Sequence, residues 1–319
     1  MKQRVVVYKK LPGPLLAKLR DLYEVTYFES INESNRAAFV KALQQAHGML
    51  GASVKITREM LDGATQLKIA STISVGVDQF DLDYLIKRNI MLGHTPDVLT
   101  ETTADTIFAL VLTTARRVVE LAGFVKAGKW TQSIGESEFG LNVHGKTIGL
   151  LGMGRIGTAV GRRARFGFGM NVLYHNTRPN PEAETALNAR YVDRETLFRE
   201  SDFVCVMLPL TAKTERTIGM HEFSLMKPTG IFINASRGRV VKENELIQAL
   251  QQKVLYAAGL DVFEVEPLPV TSPLLALPNV VALPHIGSAT HETRFAMAQV
   301  AVDNLIAGLE GQLPRYLAV

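Results

Sequence analysis

Three apolar runs in the second half of the chain end on residues that could handle protons or anions. Ile231-Phe232-Ile233-Asn234 leads into Ala235-Ser236-Arg237-Gly238-Arg239. Ala258-Gly259-Leu260-Asp261-Val262 leads into Phe263-Glu264-Val265-Glu266-Pro267. Val280-Val281-Ala282-Leu283-Pro284 leads into His285-Ile286-Gly287-Ser288. A guanidinium directly after a strand presents a planar fork suited to a carboxylate, so Arg237 is the candidate anchor; Arg239 competes but lies further into the loop. Histidine titrates nearest neutral pH, so His285 is the candidate proton donor. A carboxylate beside it would favour the imidazolium, and Glu266 or Glu264 could supply one. A cation for a carboxylate, an acid for a carbonyl oxygen and a group that keeps the acid charged are what hydride reduction of a 2-keto acid requires.

The remaining histidines carry no such pattern. His47, His94, His144, His175 and His221 do not end strands of this sheet beside a candidate carboxylate, and His291 sits in a polar helix start. No His-Glu-x-x-His or paired-cysteine motif occurs, so no metal is expected. Cys205, the single cysteine, lies inside Phe203-Val204-Cys205-Val206-Met207-Leu208 and reads as a buried, inert thiol.

A hydride needs a carrier. Gly152-Met153-Gly154-Arg155-Ile156-Gly157 fits the dinucleotide fingerprint, with a strand-like run before it and a helical one after it. Gly152 would allow the tight turn, Gly154 the approach of a pyrophosphate, and Gly157 close helix–strand packing. Helix N-terminal N–H groups would face the phosphates. The next strand, residues 171–174, ends in His175-Asn176-Thr177-Arg178. An NAD site usually places an acid near here for the ribose hydroxyls. His175 stands in that place. Thr177 can donate one hydrogen bond and Arg178 a forked, charged one, which suits a 2′-phosphate. NADPH is therefore expected over NADH.

These groups need elements to position them. Short strands and helices alternate over the first stretch: strands at 5–8, 25–28, 49–50, 67–71 and 90–92, helices at 15–22, 35–45 and 81–88. A long helix is expected over 100–122, with an apolar face through Ala104, Ile107, Phe108, Val111, Leu112 and Ala115. Residues 123–144, which carry Trp130, then read as an arm that packs on a second subunit. Alternation restarts with strands at 147–151, 171–174, 202–208, 230–235, 257–262 and 279–283, and helices at 156–165 and 243–251. Runs apolar on both faces are what covered parallel strands require. A last helix, 292–309, could cross back to the first domain. The pattern predicts α/β architecture with parallel sheets wrapped by helices.

Bulk properties agree with an enzyme of this kind. The 319 residues are 47% hydrophobic and 21% charged, which suggests a globular chain of two domains. The formal charge of +4 comes without a basic run, so nucleic acid is not an expected partner. The start, MKQRVVVYKK, lacks the apolar core of a signal peptide, and no apolar run approaches membrane-helix length. A cytoplasmic address and no membrane contact are expected.

Taken jointly, Gly149-Leu150-Leu151-Gly152-Met153-Gly154-Arg155-Ile156-Gly157, Phe232-Ile233-Asn234-Ala235-Ser236-Arg237-Gly238, Gly259 through Pro267 and Pro284-His285-Ile286-Gly287 resemble the D-isomer-specific 2-hydroxyacid dehydrogenases, over nearly the whole chain. Residues 71–76, 99–117 and 284–294 are similar to a bacterial group of that family that reduces glyoxylate, hydroxypyruvate or 2-ketogluconate. The resemblance implies a Rossmann-type doubly wound parallel sheet at 99–289 and a smaller flavodoxin-like substrate domain, discontinuous, at 1–98 and 290–319. It implies that Arg237 binds the substrate's carboxylate and carbonyl, and that Glu266, not Glu264, pairs with His285. Val75 and Gly76 would offer backbone N–H groups to the carboxylate. Leu208, Pro209, Thr214, Ala235, Ser236, Asp261, His285 and Gly287 would line the coenzyme cleft, Asp261 on the nicotinamide side. A homodimer built on an arm near 118–145 is also implied. His175 departs from the Asp of NAD-type members, in keeping with NADPH. The alternatives are an NAD-dependent enzyme of other substrate range and a coenzyme-sensing corepressor-like binding protein.

Overall fold

The computed structural model describes residues Lys2–Val319. Contacts divide the chain into two units, Met1–Leu99 with Ala289–Val319, and Thr100–Ser288. In the first unit, short β-branched and apolar runs form strands β1 (Arg4–Val7), β2 (Glu24–Tyr27), β3 (Gly48–Gly51), β4 (Ile69–Thr72) and β5 (Met91–Gly93). They pair in parallel in the order β2-β1-β3-β4-β5, the flavodoxin-like winding. Every residue of β3 and β4 is buried, so these strands need cover on both faces. The helix His291–Leu309 covers one. Ser71 donates its hydroxyl to the Ala301 carbonyl at 2.7 Å. A Cβ on Gly308 would lie 2.4 Å from Ile69 Cδ1, so glycine sets how closely that helix approaches.

The second unit holds β6 (Thr147–Leu151), β7 (Asn171–His175), β8 (Arg190–Tyr191), β9 (Phe203–Val206), β10 (Ile231–Asn234), β11 (Ala257–Leu260) and β12 (Val280–Ala282). Their order is β12-β11-β10-β9-β6-β7-β8, again all parallel. This is a doubly wound sheet whose winding reverses between β6 and β9. Ligands of such sheets bind outside the carboxyl ends of the strands at that reversal. Strands β9, β10 and β11 are buried at every residue. Among the described residues, no helix is long and apolar enough to cross a membrane.

Three of the expected segments differ by more than their end residues. The helix expected over 100–122 is two helices, Thr100–Ala115 and Val118–Lys126, separated by Arg117 at φ 53°. Apolar spacing continues through the break, so periodicity alone cannot show it. Tertiary bonds hold the break: Arg117 pairs with Glu120 and donates to the carbonyls of Ser137 and Phe139, and Leu141 N–H donates to the Ala115 carbonyl. The arm at 123–144 therefore begins inside a helix and holds a 3₁₀ turn at Glu136–Glu138. The helix expected at 156–165 is Arg155–Arg162, and it widens into a π-type turn over Arg163–Gly167.

Candidate active site

The carboxyl ends of β10, β11 and β12 bring together the residues singled out in the sequence. His285 follows β12 at φ 54°, and its Nδ1–H donates to Glu266 Oε2 at 2.7 Å. The other carboxylate oxygen, Oε1, accepts from Phe263 N–H at 3.0 Å. Burial alone would push the Glu266 carboxyl up. The hydrogen bonds from His285 and Phe263 and the charges of His285 and Arg237 outweigh it, holding the carboxyl below the usual range. Glu266 is therefore a carboxylate at neutral pH.

The structure gives both competing candidates other partners. Glu264 forms an ion pair with Arg216. Arg239 forms one with Glu215. Neither side chain faces the His285–Glu266 pair in these contacts. Arg237, half-buried, donates from Nη1 to the Ser236 carbonyl at 2.8 Å, and its charge is felt at Glu266.

Asp261 is 1% exposed and lies at the end of β11. Its Oδ1 accepts from Ile286 N–H at 2.7 Å and its Oδ2 from Gly287 N–H at 2.8 Å. The carboxylate thus fixes the turn that carries His285, a positioning role that the sequence reading did not contain. Burial raises its carboxyl above the usual value despite those two bonds.

Three further residues were missed. Asn234, buried at the end of β10, accepts from Ser236 N–H and Oγ–H and donates to the Arg237 carbonyl, which shapes the arginine's turn. Glu243 accepts from Glu264 N–H at 2.9 Å and so tethers the segment leading to Glu266. Gly238 cannot be anything larger: a Cβ would lie 1.9 Å from the Phe263 carbonyl carbon. A polar residue closing an apolar strand was the available signal for Asn234.

On the other side of the reversal, the turn after β6 fits a dinucleotide. Gly152 takes φ +111°, open only to glycine at low cost. A Cβ on Gly157 would lie 2.2 Å from the Gly152 carbonyl oxygen, so glycine keeps helix Arg155–Arg162 tight on the turn. A Cβ on Gly154 would meet nothing within 4 Å, so the backbone faces open space at a helix start. A pyrophosphate could occupy that space against the helix N–H groups. Met153 is half of a further lock: its N–H donates to Asn176 Oδ1 at 2.7 Å, and its carbonyl accepts from Asn180 Nδ2 at 3.1 Å. Asn176 therefore holds the glycine turn itself. His175 closes β7, and its ring Nδ1–H donates to the Val192 carbonyl at 2.9 Å. Thr177 and Arg178 are exposed beyond it. Leu208, Pro209, Ala235 and Ser236 follow the ends of β9 and β10. The Thr214 hydroxyl donates to the Pro209 carbonyl at 2.5 Å, so it braces that loop.

Within the first unit, the loop after β4 is laced by its own side chains. Ser74 donates to the Gly76 carbonyl at 2.7 Å, and His94 Nδ1–H donates to the Val75 carbonyl at 3.0 Å. Among the described residues, neither Val75 N–H nor Gly76 N–H has an acceptor. Two adjacent unpartnered amides are a fit for an anionic oxygen.

Known proteins resemble this chain over most of its length. The profile described as "D-isomer specific 2-hydroxyacid dehydrogenase, NAD binding domain" matches residues 108–287. A protein of Serratia proteamaculans named glyoxylate/hydroxypyruvate reductase B is 57% identical over 311 residues, covering 98% of this chain and 96% of its own. A namesake from Escherichia fergusonii is 55% identical over 315 residues, covering 99% and 97%. A solved Thermus thermophilus structure superposes with a TM-score of 0.91 at 43% identity, covering 99% of this chain and all of its own. The structure described as NADPH-dependent glyoxylate/hydroxypyruvate reductase of Sinorhizobium meliloti, in complex with NADP and malonate, gives 0.87 at 31% identity, covering 100% and 97%. With a glycine turn built for a dinucleotide, a His–Glu pair beside an arginine, and this breadth of identity, the chain belongs to the D-isomer specific 2-hydroxyacid dehydrogenase family.

Proposed function

We propose that this dehydrogenase reduces small 2-keto acids, among them glyoxylate, hydroxypyruvate and 2-ketogluconate, to 2-hydroxy acids with NADPH. The observation that carries the reading is the 2.7 Å bond from His285 Nδ1–H to a Glu266 carboxylate that stays ionised. The bond occupies Nδ1 and orients the ring, leaving Nε2–H as the proton for a carbonyl oxygen. When bound, a reduced nicotinamide supplies the hydride that the keto carbon accepts. Arg237 holds the carboxylate and polarises the carbonyl beside it. Once Nε2 has given up its proton, the ring is neutral and still bonded through Nδ1–H. The side chain is 47% exposed, so it recovers a proton from water. Carbonyl, hydride and proton together make the alcohol, and no other redox partner is needed.

The NADPH part is supported by the missing acid after β7 and by the exposed Thr177 and Arg178. The names of the enterobacterial relatives support the choice of substrates. As partner we place a second copy of the chain on the arm, where Val118, Val119, Val125, Trp130, Ile134 and Phe139 are exposed. Sedimentation of the wild type and of Trp130→Glu tests that contact, and a monomeric wild type refutes it. The reaction itself is tested by a steady-state panel of glyoxylate, hydroxypyruvate, pyruvate and 2-ketogluconate with both coenzymes. Turnover with NADPH on at least one of the named acids is expected. Preference for NADH overturns the coenzyme, and inertness across the panel overturns the reaction.

A further inference from the structure

His175 is held in a way that gives its two ring nitrogens different jobs. Its backbone carbonyl accepts Gly152 N–H at 3.0 Å, which ties the residue to the glycine turn. Its ring Nδ1 lies 2.9 Å from the Val192 carbonyl oxygen. A carbonyl can only accept, so Nδ1 carries hydrogen whether the ring is neutral or charged. The neutral ring is therefore the Nδ1–H tautomer, with its lone pair on Nε2. Tyr191 keeps the ring from turning over: the two rings stack with centroids 5.9 Å apart and planes 16° apart, and the tyrosine hydroxyl donates to the Asn176 carbonyl at 3.1 Å.

The carboxyl end of the strand after the glycine turn is where this fold addresses the 2′ position of the adenine ribose. An acid there accepts from a 2′-hydroxyl and repels a phosphate. An arginine does the reverse at any working pH. We propose that His175 selects the coenzyme through the proton on Nε2: charged, it donates to a 2′-phosphate, and neutral, it accepts from a 2′-hydroxyl. The inference rests on the NADPH reading above and makes the preference for NADPH dependent on pH. The titratable and charged groups on the elements around the ring include Arg190, which pairs with Glu200, and Tyr191 on β8, Asp193 in the loop that follows, Arg178 on the ring's own loop and Arg155 at the start of the helix after the glycine turn. Asp193 is committed elsewhere. It accepts from Thr196 Oγ–H at 2.6 Å and Thr196 N–H at 2.9 Å, and those bonds lower its carboxyl. Arg178 and Arg155 add attraction for phosphate that does not change between pH 6 and 9, because a guanidinium stays charged throughout.

The phosphate's own titration can be kept out of the test. A phosphate monoester completes its second ionisation near a pKa of about 6, so above about pH 7 the ligand is a dianion. Coenzyme fluorescence then gives Kd for NADPH and NADH from about pH 7 to 9, and calorimetry in buffers of different ionisation enthalpy counts protons taken up on binding. The wild type is expected to lose NADPH affinity by up to about tenfold per pH unit, to keep a level NADH affinity, and to take up a proton with NADPH. In His175→Gln the slope and the uptake disappear. In Arg178→Gln the affinity drops by one factor at every pH and the slope stays. A level NADPH profile in the wild type, or a slope that survives His175→Gln, overturns the inference. If His175→Gln does not fold, the wild-type proton count decides, and no uptake overturns it. NADPH bound more tightly than NADH at a constant ratio removes the protonation step alone. NADPH never bound more tightly removes the coenzyme assignment as well.

Discussion

Exchanging Glu266 for Gln removes the charge beside His285 and keeps the length of the side chain. The carboxylate serves two donors, His285 Nδ1–H on Oε2 at 2.7 Å and Phe263 N–H on Oε1 at 3.0 Å. A glutamine offers one acceptor oxygen, so one donor loses its partner at a cost of about 1–3 kcal/mol. The lost charge adds to this. The two side chains are 47% and 36% exposed, so solvent screens the pair. An exposed ion pair contributes up to about 1 kcal/mol. Together the two effects come to about 1–4 kcal/mol, a fall in kcat/KM of roughly 5- to 900-fold at neutral pH. Only the charge makes the loss depend on pH. In the wild type the lowered Glu266 carboxyl gives up that charge as pH falls through its folded value, so the gap between wild type and variant should be full at neutral pH and close in acid. The assay is coenzyme oxidation followed by absorbance across pH, with keto acid varied and coenzyme saturating. Coenzyme Kd measured separately should stay at the wild-type value. A variant with the wild-type profile refutes the pairing. A loss of equal size at every pH refutes the electrostatic half and leaves only packing.

His285→Ala should lower kcat by about 10²- to 10⁴-fold with coenzyme affinity intact, and near-normal turnover would sink the proton-donor assignment. Arg237→Ala should act mainly on KM for the keto acid, raising it about 10- to 100-fold, the equivalent of a lost charged hydrogen bond; an unchanged KM refutes the anchor. The glycines separate by what a methyl would meet. Gly157→Ala, facing an oxygen 2.2 Å away, should lose about 1–3 kcal/mol of stability. Gly154→Ala, facing nothing within 4 Å, should keep its Tm and lose coenzyme affinity; a matching Tm loss in both refutes the division. Asp261→Asn leaves one of two amide donors unmet and should lower kcat while the His285–Glu266 bond stays in place; an unchanged kcat refutes the positioning role.

Much of the candidate site was legible because each participant lies in the loop that follows an apolar strand. Parallel strands of this sheet present their next residues at one edge, so Arg237, Glu266 and His285 converge without any long-range signal being needed. The glycine turn was legible for a related reason, since each glycine meets a separate local demand. Side-chain pairings were less so. That Arg239 goes to Glu215 and Arg216 to Glu264 depends on where loops cross, and spacing along the chain does not carry it. Asp261 is legible as a site residue, but its hold on the turn is not, because amides of Ile286 and Gly287 carry no mark in the sequence. The break at Arg117 was invisible for the reason that an αL arginine has no compositional signature and its bonds come from residues twenty positions on. The short helices Pro181–Leu187 and Arg194–Glu200, by contrast, were within reach. Asn180 and Asp193 cap them through Ala183 N–H and Thr196 N–H, and an Asn-Pro step opens the first.

Asp261 and Glu266 show why two carboxylates so near in sequence do different work. Asp261 lies buried with amides as its donors, and burial raises its carboxyl. Glu266 also feels burial, but His285 and Arg237 supply hydrogen-bonded and nearby positive charge, and its carboxyl falls. The signs of their stability contributions are therefore opposite. A raised carboxyl contributes stability that is present below the ordinary Asp range and declines as pH rises through the raised value. A lowered one contributes stability that is present above the ordinary Glu range and declines as pH falls through the lowered value. Relative to the wild type, Asp261→Asn should have its largest Tm deficit in acid, and Glu266→Gln its largest near neutrality. Asp261 gives both oxygens to the amides of Ile286 and Gly287 and so holds a turn, whereas Glu266 gives one oxygen to the Phe263 amide and the other to the His285 ring, which puts its charge directly on the candidate proton donor.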